Sequence, residues 1–315
     1  NCHFSLARNH THTDGTQNTP EVDDKILIHV DWNIEPKIVV TKTINPEGFP
    51  RTEVSRTFFG HIEKIFGKHG EHNVEMEAIV ASAGFDIGHS AAVEEDAARS
   101  VKEHGVLTPE ELQTRRDMRN VWTCTIDPID AKDFDDALSY QLLPNGNVEI
   151  GIHIADVSHF VREGSALDKE ARKREFSVYL VDRTIPMLPE VLSNGMCSLN
   201  PNEDRFSFSA IFEMDKHANI VNRWFGKTVI HSNKRFNYEE AQEILNTEDK
   251  TVFPDLFALR EYGRLLAADR KRKGAIDFES DEIKFKLDEK GVPVAVFRKQ
   301  RQETKNENPI SEKAY

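Results

Sequence analysis

The sequence contains little cysteine, and this scarcity excludes one class of small secreted protein. Among 315 residues there are 3 cysteines, Cys2, Cys124 and Cys197, which lie far apart and form no CxxC pair. A disulfide framework is therefore excluded. This cysteine usage is typical of a reducing compartment, and we expect the protein to be cytoplasmic. No general base lies near Cys197 in the chain, so this residue is expected to be a buried thiol rather than a nucleophile.

Long apolar runs are missing as well. No stretch approaches the roughly 18 consecutive apolar residues that a membrane-spanning helix requires, so no membrane association is expected. The amino terminus shows no signal peptide. The first residue is Asn1 rather than Met, which is typical of a fragment.

Positive charge is also in short supply. The chain has 41 lysines and arginines against 54 aspartates and glutamates, which gives a formal net charge of −13. Nonspecific binding to nucleic acid depends on lysine and arginine contacts to phosphate. An outer surface that binds nucleic acid in this way is therefore disfavoured, and an enzyme acting on nucleic acid would need a locally basic channel.

One stretch is unusually rich in carboxylates: Asp127, Asp130, Asp133, Asp135 and Asp136 fall within ten residues, offset by a single lysine. Two carboxylates about 4 Å apart repel by about 1 kcal/mol even in water, so crowded acids spread out, take up protons or bind a cation. Mg²⁺ or Mn²⁺ suits such an all-oxygen site, and a pair of these ions suits phosphoryl transfer. On composition alone, a solvated acidic turn is the alternative interpretation.

Two other acidic motifs can be tested against this stretch. An EF-hand loop has acids at its first, third and fifth positions, but from Asp127 the third and fifth residues are Ile129 and Ala131. A phosphatase of the aspartyl-phosphate type would place its nucleophile, Asp133, directly after an apolar strand, whereas Lys132 precedes it. Both motifs therefore fit poorly.

Patterns on both sides of the acids predict antiparallel strands. Mixed β-branched and apolar residues predict strands at Val121–Ile126, Ala137–Leu143 and Val148–Ala155. The third strand alternates, with valine and isoleucine on one face. Pro144–Asn147 is typical of a hairpin turn, so the second and third strands are expected to pair. This pairing would bring Asp156 to the end of the sheet where the acids lie.

Three segments carry a longer pattern: residues 125–137 read TIDPIDAKDFDDA, residues 177–190 read SVYLVDRTIPMLPE, and residues 192–201 read LSNGMCSLNP. All three resemble segments of the ribonuclease II/ribonuclease R family of processive 3′-to-5′ exoribonucleases, and the first is similar to the acidic signature of that family. The resemblance covers roughly residues 60–299. The family pattern is expected to stop after Lys299, before a late arginine-bearing segment that the family carries.

The resemblance implies a set of site residues. Asp127, Asp133, Asp135 and Asp136 would be catalytic and would hold two divalent ions, Mg²⁺ or Mn²⁺. Asp127 and Asp136 would bind the principal ion, and Asp135 would orient the water and the second ion, with Asp133 beside it. Tyr179 stands where the family has a tyrosine that stacks on the terminal RNA bases, and stacking of this kind tolerates any base. A half-buried core tyrosine is the alternative.

A histidine-rich segment beside the third strand invites a zinc interpretation. His153, Asp156 and His159 have a suggestive spacing, but no zincin pattern is matched and no third histidine is in place. The family carries a similar run, and the resemblance implies structural support beside the acidic loop. Asp156 is a further candidate to orient a metal ligand.

The resemblance also implies what the protein does. We expect a 3′-to-5′ exoribonuclease that hydrolyses RNA phosphodiester bonds to 5′-monophosphates by divalent-metal catalysis, in RNA degradation or processing. The expected partner is the 3′ end of single-stranded RNA, with no membrane and no small-molecule cofactor, and the expected state is a monomer. The alternative is a truncated, catalytically inactive remnant of the family that binds RNA or metal without turnover.

The expected fold class is α+β, with a mixed or antiparallel sheet flanked by helices as a partial RNB catalytic domain. Short strands separated by turns predict a partial small β-barrel, similar to an OB or cold-shock domain, ahead of it. The expected segments are a disordered polar segment (1–24), the partial barrel (25–80), a connector (81–106), the amino-terminal part of the RNB domain (107–299) and a disordered tail (300–315).

Overall fold

The computed structural model describes residues 2–6, 20–30, 32–35, 37–44, 50–276 and 282–299. The predicted tail, residues 300–315, lies outside them. The chain divides into two compact units, residues 1–88 and residues 89–315. Among the described residues, no helix is both long enough and apolar enough to cross a membrane.

The first unit is built on one long strand. Its elements are β1 (Cys2–Leu6), β2 (Asp24–Val30), β3 (Lys37–Ile44), β4 (Pro50–Lys68) and helix α1 (His72–Ser82). Strands β2 and β3 run antiparallel to β4, and β1 runs parallel to it. The sheet is consistent with the predicted OB-like fold, and β1 lies within the segment predicted to be disordered.

Close approach of two strands explains one glycine in this sheet. Strand β2 pairs with β4 at Gly60, where a Cβ atom would lie 2.2 Å from the carbonyl oxygen of His29. Only glycine leaves room for the backbone at this distance. Two register shifts in the β2–β4 pair lie on either side of Ile26–Leu27, and irregularities of this kind bend and twist a sheet.

The second unit contains the remaining elements. These are α2 (Ala91–His104), α3 (Pro109–Thr114), β5 (Arg116–Asp117), β6 (Trp122–Asp127), β7 (Asp136–Leu142), β8 (Val148–Ala155), α4 (Val157–Phe160), α5 (Ala166–Arg174), β9 (Val178–Tyr179), β10 (Thr184–Ile185), a π-helix (Val191–Met196), β11 (Asp204–Met214), β12 (Ile220–His231), β13 (Lys234–Asn237), α6 (Tyr238–Asn246), α7 (Pro254–Arg272), β14 (Glu282–Leu287) and β15 (Pro293–Lys299).

A mixed seven-stranded sheet forms the centre of this unit, in the order β13-β6-β7-β8-β11-β12-β5. The five middle strands pair antiparallel, whereas the two edge strands β13 and β5 pair parallel to their neighbours. The turn at Pro144–Asn147 joins β7 to β8, with the amide of Leu143 donating to the carbonyl of Asn147. The predicted α+β class and the predicted hairpin are therefore confirmed.

Two apolar clusters hold helices against this sheet. One joins α6 and α7 to the sheet through residues that include Cys124, Ile150, Phe236 and Leu256. The other joins α2, α4 and α5 to strands β7, β8, β11 and β12. Helix α2 falls within the predicted connector, yet the hydroxyl of Ser100 on this helix donates to the carbonyl of Phe160. This helix therefore packs as part of the second unit.

Strand β8 departs from its predicted pattern near its end. Val148 and Ile150 are buried as expected, but Ile154 is 47% exposed whereas His153 on the opposite face is buried. His153 shares hydrogen bonds with the hydroxyls of Ser139 and Ser209. A polar layer therefore occupies a position that alternation alone assigns to solvent, because neighbouring strands supply its hydrogen-bond partners.

Candidate metal centre

Adjacent strand ends bring three carboxylates together. Asp127 is the last residue of β6, Asp136 is the first residue of β7, and these two strands pair antiparallel. Asp135 lies one residue before β7. The structure offers one oxygen from each of Asp127, Asp135 and Asp136, and these oxygens all lie within 4.8 Å of one another. The hairpin that the sequence predicts on the other side of β7 holds this strand in register.

Asp127, the buried carboxylate of the group, lies in an electrostatically unfavourable environment. Asp127 is only 7% exposed, whereas Asp135 is exposed and Asp136 is half-buried. Burial, followed by the charges of Asp136 and Asp135, raises the pKa of Asp127 to about 6. Its Oδ2 atom is buried and accepts no hydrogen bond. A buried acceptor without a partner is costly, so a bound cation would satisfy this oxygen and offset the repulsion.

The donor set fits a hard divalent cation. All three side chains offer carboxylate oxygen, which Mg²⁺ and Mn²⁺ prefer, and the group contains no thiol or imidazole that would favour zinc. Exposure of Asp135 leaves one side of the group open to solvent. The residues present are therefore suited to a metal that keeps some of its water ligands.

Asp133, the fourth predicted metal ligand, lies outside this group of three. The hydroxyl of Tyr179 donates to its Oδ2 atom at 3.2 Å. Tyr179 is 68% exposed, which disfavours the alternative of a core tyrosine. Asp133 and Tyr179, both predicted site residues, are therefore in direct contact although they lie far apart in the sequence.

The histidine segment supports the sheet rather than a metal. His159 donates from Nε2 to the carbonyl of His104 and accepts at Nδ1 from Arg115. Both ring nitrogens of His153 also have partners. The zinc interpretation is therefore not supported by these two histidines, in agreement with the support role that the resemblance implies.

Asp156 takes part in a buried ion-pair network. Its Oδ2 atom lies 2.8 Å from Arg115 and 3.0 Å from Lys227. Burial acts to raise the pKa of Asp156, but hydrogen bonds from Ser158, Lys227 and Arg115 outweigh it and hold that pKa below its ordinary value. Asp156 follows β8 at the predicted end of the sheet, but its carboxylate forms ion pairs with two basic side chains, those of Arg115 and Lys227.

Cys197 is a buried thiol, as its sequence context predicts. It is buried in the cluster beneath α2 and α5, and burial raises the pKa of its thiol to about 12. A protonated thiol in apolar surroundings is a poor nucleophile. Cys124 is also free and buried.

Sequence reasoning missed two residues that contact the acidic loop, Ser198 and Arg235. Ser198 bonds to the backbone at Lys132 and Phe134, and Arg235 bonds to the carbonyls of Pro128 and Ile129. The available signal for Ser198 was its place within the family-like segment at 192–201. Arg235 carried no comparable signal.

The comparison with known families decides the ancestry of this site. The RNB domain family matches residues 115–311. The chain belongs to the RNB family. The predicted resemblance is therefore confirmed, but the match continues to residue 311, so the expectation that the pattern stops after Lys299 is wrong. The three converging carboxylates, those of Asp127, Asp135 and Asp136, all lie within the matched residues.

Known RNB proteins are similar to this chain over part of their length. DIS3-like exonuclease 2 of Schizosaccharomyces pombe is 45% identical over 60% of this chain and 22% of its own. Ribonuclease R 1 of Lactococcus lactis is 38% identical over 80% of this chain and 31% of its own. The structure of Mycoplasma genitalium RNase R in complex with ribose-methylated single-stranded RNA superposes with a TM-score of 0.76 at 25% identity, covering 94% of this chain and 43% of that one. The chain thus spans less than a third of these two curated relatives.

Proposed function

We propose that this chain acts on the 3′ end of single-stranded RNA as a divalent-metal-dependent exoribonuclease that releases 5′-monophosphates. The observation that carries the proposal is the convergence of Asp127, Asp135 and Asp136, together with the buried Oδ2 atom of Asp127 that accepts no hydrogen bond. Membership of the RNB family supports the reaction class, and the related RNase R has been captured with single-stranded RNA.

The three carboxylates have different proposed roles, because they differ in exposure and in position on the strands. Mg²⁺ or Mn²⁺, when bound, would supply Lewis-acid stabilisation of phosphoryl charge and a more acidic water. Asp127 and Asp136, at the strand ends, would hold the principal ion because the sheet fixes both backbones. Asp135 is exposed on the solvent side, where its carboxylate can accept a hydrogen bond from the attacking water and orient it. Asp133 would assist from beside the group.

Tyr179 is suited to hold the end of the RNA. Its exposed ring offers a face on which a base can stack, and its hydroxyl is tied to Asp133 in the acidic loop. Stacking does not depend on base identity. An enzyme that shortens RNA of any sequence from one end needs this tolerance.

Substitution of Tyr179 separates stacking from the hydroxyl contact. Base stacking on an aromatic side chain contributes about 1–3 kcal/mol, so Tyr179→Ala is expected to raise KM for RNA by about 5- to 150-fold. Tyr179→Phe keeps the ring and loses the hydroxyl that donates to Asp133, so its KM is expected to stay close to wild type. Steady-state assays on a short labelled RNA measure both values. Equal impairment of the two variants would show that the hydroxyl, rather than the ring, matters.

The proposal is tested by an exonuclease assay on single-stranded RNA labelled at its 5′ end. Stepwise shortening with Mg²⁺ or Mn²⁺, abolished by a chelator, is the expected result. An RNA carrying its label at the 3′ end should release labelled 5′-monophosphate from the first step. Metal binding without shortening would instead identify the inactive, metal-binding remnant of the family.

The proposal includes a cytoplasmic location and a monomeric state. Sparse, unpaired cysteines support a reducing compartment, and the acidic group is assembled within one chain. The function proposed here calls for no membrane and no small organic cofactor. Sedimentation of the purified protein and cell fractionation check these two expectations.

A further inference from the structure

The acidic loop, defined here as residues 128–135, is held by two side chains from distant parts of the sequence. One is Ser198, which follows the π-helix, and the other is Arg235 in strand β13. Both bond to backbone atoms of the loop rather than to its carboxylates. They therefore act on the position of the loop backbone.

Ser198 fixes the peptide that precedes Asp135. Its Oγ atom accepts from the amide of Phe134 at 3.0 Å and lies 3.0 Å from the carbonyl of Lys132, to which it can donate. The same proton can reach Asn200 at 3.2 Å. The amide of Leu199 donates to the carbonyl of Phe134 at 2.7 Å. Both polar groups of the Phe134 backbone are thus paired at a position where Ser198 is 1% exposed.

Arg235 fixes the opposite end of the loop. One of its terminal nitrogens donates to the carbonyl of Pro128 at 2.9 Å and to the carbonyl of Ile129 at 2.8 Å. Its guanidinium carbon lies 5.2 Å from the centroid of the Phe134 ring. Both anchors therefore contact one residue, Phe134, which is buried in the core: Ser198 through the backbone amide and Arg235 through the ring.

We propose that Ser198 and Arg235 are positioning residues that hold the acidic loop in the shape at which Asp127, Asp135 and Asp136 converge. This inference rests on the proposed metal-dependent function. Like charges drive the three carboxylates apart when no cation is bound. Backbone anchors oppose that repulsion, so the site stays assembled and a metal ion binds without first ordering the loop.

Substitution of Arg235 separates two explanations, because they predict opposite changes in Mn²⁺ affinity. Its positive charge also acts on Asp127, so an arginine that served only as a counter-charge would compete with a bound cation. Removal of that charge in Arg235→Met would then tighten Mn²⁺ binding. If Arg235 positions the loop, the same substitution weakens Mn²⁺ binding. Arg235→Lys keeps the charge and one donor nitrogen but loses the planar guanidinium, so its Mn²⁺ affinity should fall between those of Arg235→Met and wild type.

Titration calorimetry with Mn²⁺ on the full chain measures this directly. We expect Ser198→Ala and Arg235→Met each to weaken Mn²⁺ binding by about tenfold or more. Ser100→Ala is the matched control, because it also removes a buried serine hydroxyl that donates to a carbonyl, that of Phe160 at 2.7 Å. Ser100→Ala should bind Mn²⁺ as wild type does, even where its melting temperature falls as far as that of Ser198→Ala.

Each other outcome has a definite meaning. Wild-type affinity in both Ser198→Ala and Arg235→Met would overturn the positioning role while leaving the proposed function intact. Tighter binding in Arg235→Met would overturn the role for Arg235. Absence of Mn²⁺ binding by the wild-type chain would overturn the metal centre and the positioning role together. If Ser198→Ala does not fold, the order of wild type, Arg235→Lys and Arg235→Met decides the question.

Discussion

An Asp135→Asn variant is expected to shorten RNA at least about 100-fold more slowly than the wild type and to keep the melting temperature of the wild type. Asparagine has the shape of aspartate but lacks the charge that a divalent ion and an attacking water require. Asp135 is exposed, and its carbonyl is held by the amide of Ala155 at 2.9 Å, a bond that the variant retains. The fold should therefore be unaffected. Single-turnover shortening of labelled RNA and a thermal melt measure the two quantities.

The matched control for this variant is Asp130→Asn. Asp130 belongs to the same acidic loop and is exposed, but it lies outside the group of three carboxylates that converge. The same change of charge there should leave the rate within about twofold of wild type, since the charge of an exposed side chain outside the group is screened by salt. Equal losses in both variants would mean that the overall negative charge of the loop matters, and that Asp135 has no special place in it.

The convergence of Asp127, Asp135 and Asp136 could be predicted because these residues and the strands that carry them are local in sequence. Two neighbouring strands and a tight hairpin fix where Asp127 and Asp136 lie, and all of these features leave short-range patterns. A long signature then identified the family before any geometry was known. Local patterns also gave the bounds of β8 and the antiparallel pairing of β7 with β8.

Contacts between distant residues could not be predicted from one sequence. Arg235 reaches the acidic loop across more than a hundred residues, and nothing in its own surroundings indicates that contact. The same holds for the bond between Tyr179 and Asp133. Alternation failed at Ile154 because the polar layer that buries His153 is built by neighbouring strands. Alternation of apolar residues describes a single strand, whereas the burial of each side chain also depends on the neighbouring strands of the sheet.

Without divalent ions, ionisation of Asp127 is expected to destabilise the protein as the pH rises from about 4 to about 6. Its pKa is about 6 in the folded chain and about 4 in an unfolded one. The folded state therefore binds the proton more tightly, and stability is lost as that proton leaves. A difference of this size corresponds to about 2–3 kcal/mol, complete once the pH exceeds the folded pKa.

Comparison of wild type with Asp127→Asn isolates this effect from other titrating groups. Asparagine resembles the protonated acid, so the variant should be more stable than wild type by about 2–3 kcal/mol at pH 7.5, with the difference vanishing near pH 4. Urea unfolding with a chelator present, at intervals between these pH values, measures the difference. A difference that does not change with pH would contradict the raised pKa of Asp127.

Added Mn²⁺ should cancel the difference in stability between the two proteins at pH 7.5. An ion that binds only the folded wild type stabilises it by about 2.7 kcal/mol at one hundred times its dissociation constant, which offsets the cost of ionising Asp127. Asp127→Asn lacks that ligand and should gain little. Because protons compete with the metal for Asp127, the stabilisation by Mn²⁺ should itself fade below about pH 6. The same buried carboxylate thus makes the metal-free site costly at neutral pH and makes ion binding favourable there.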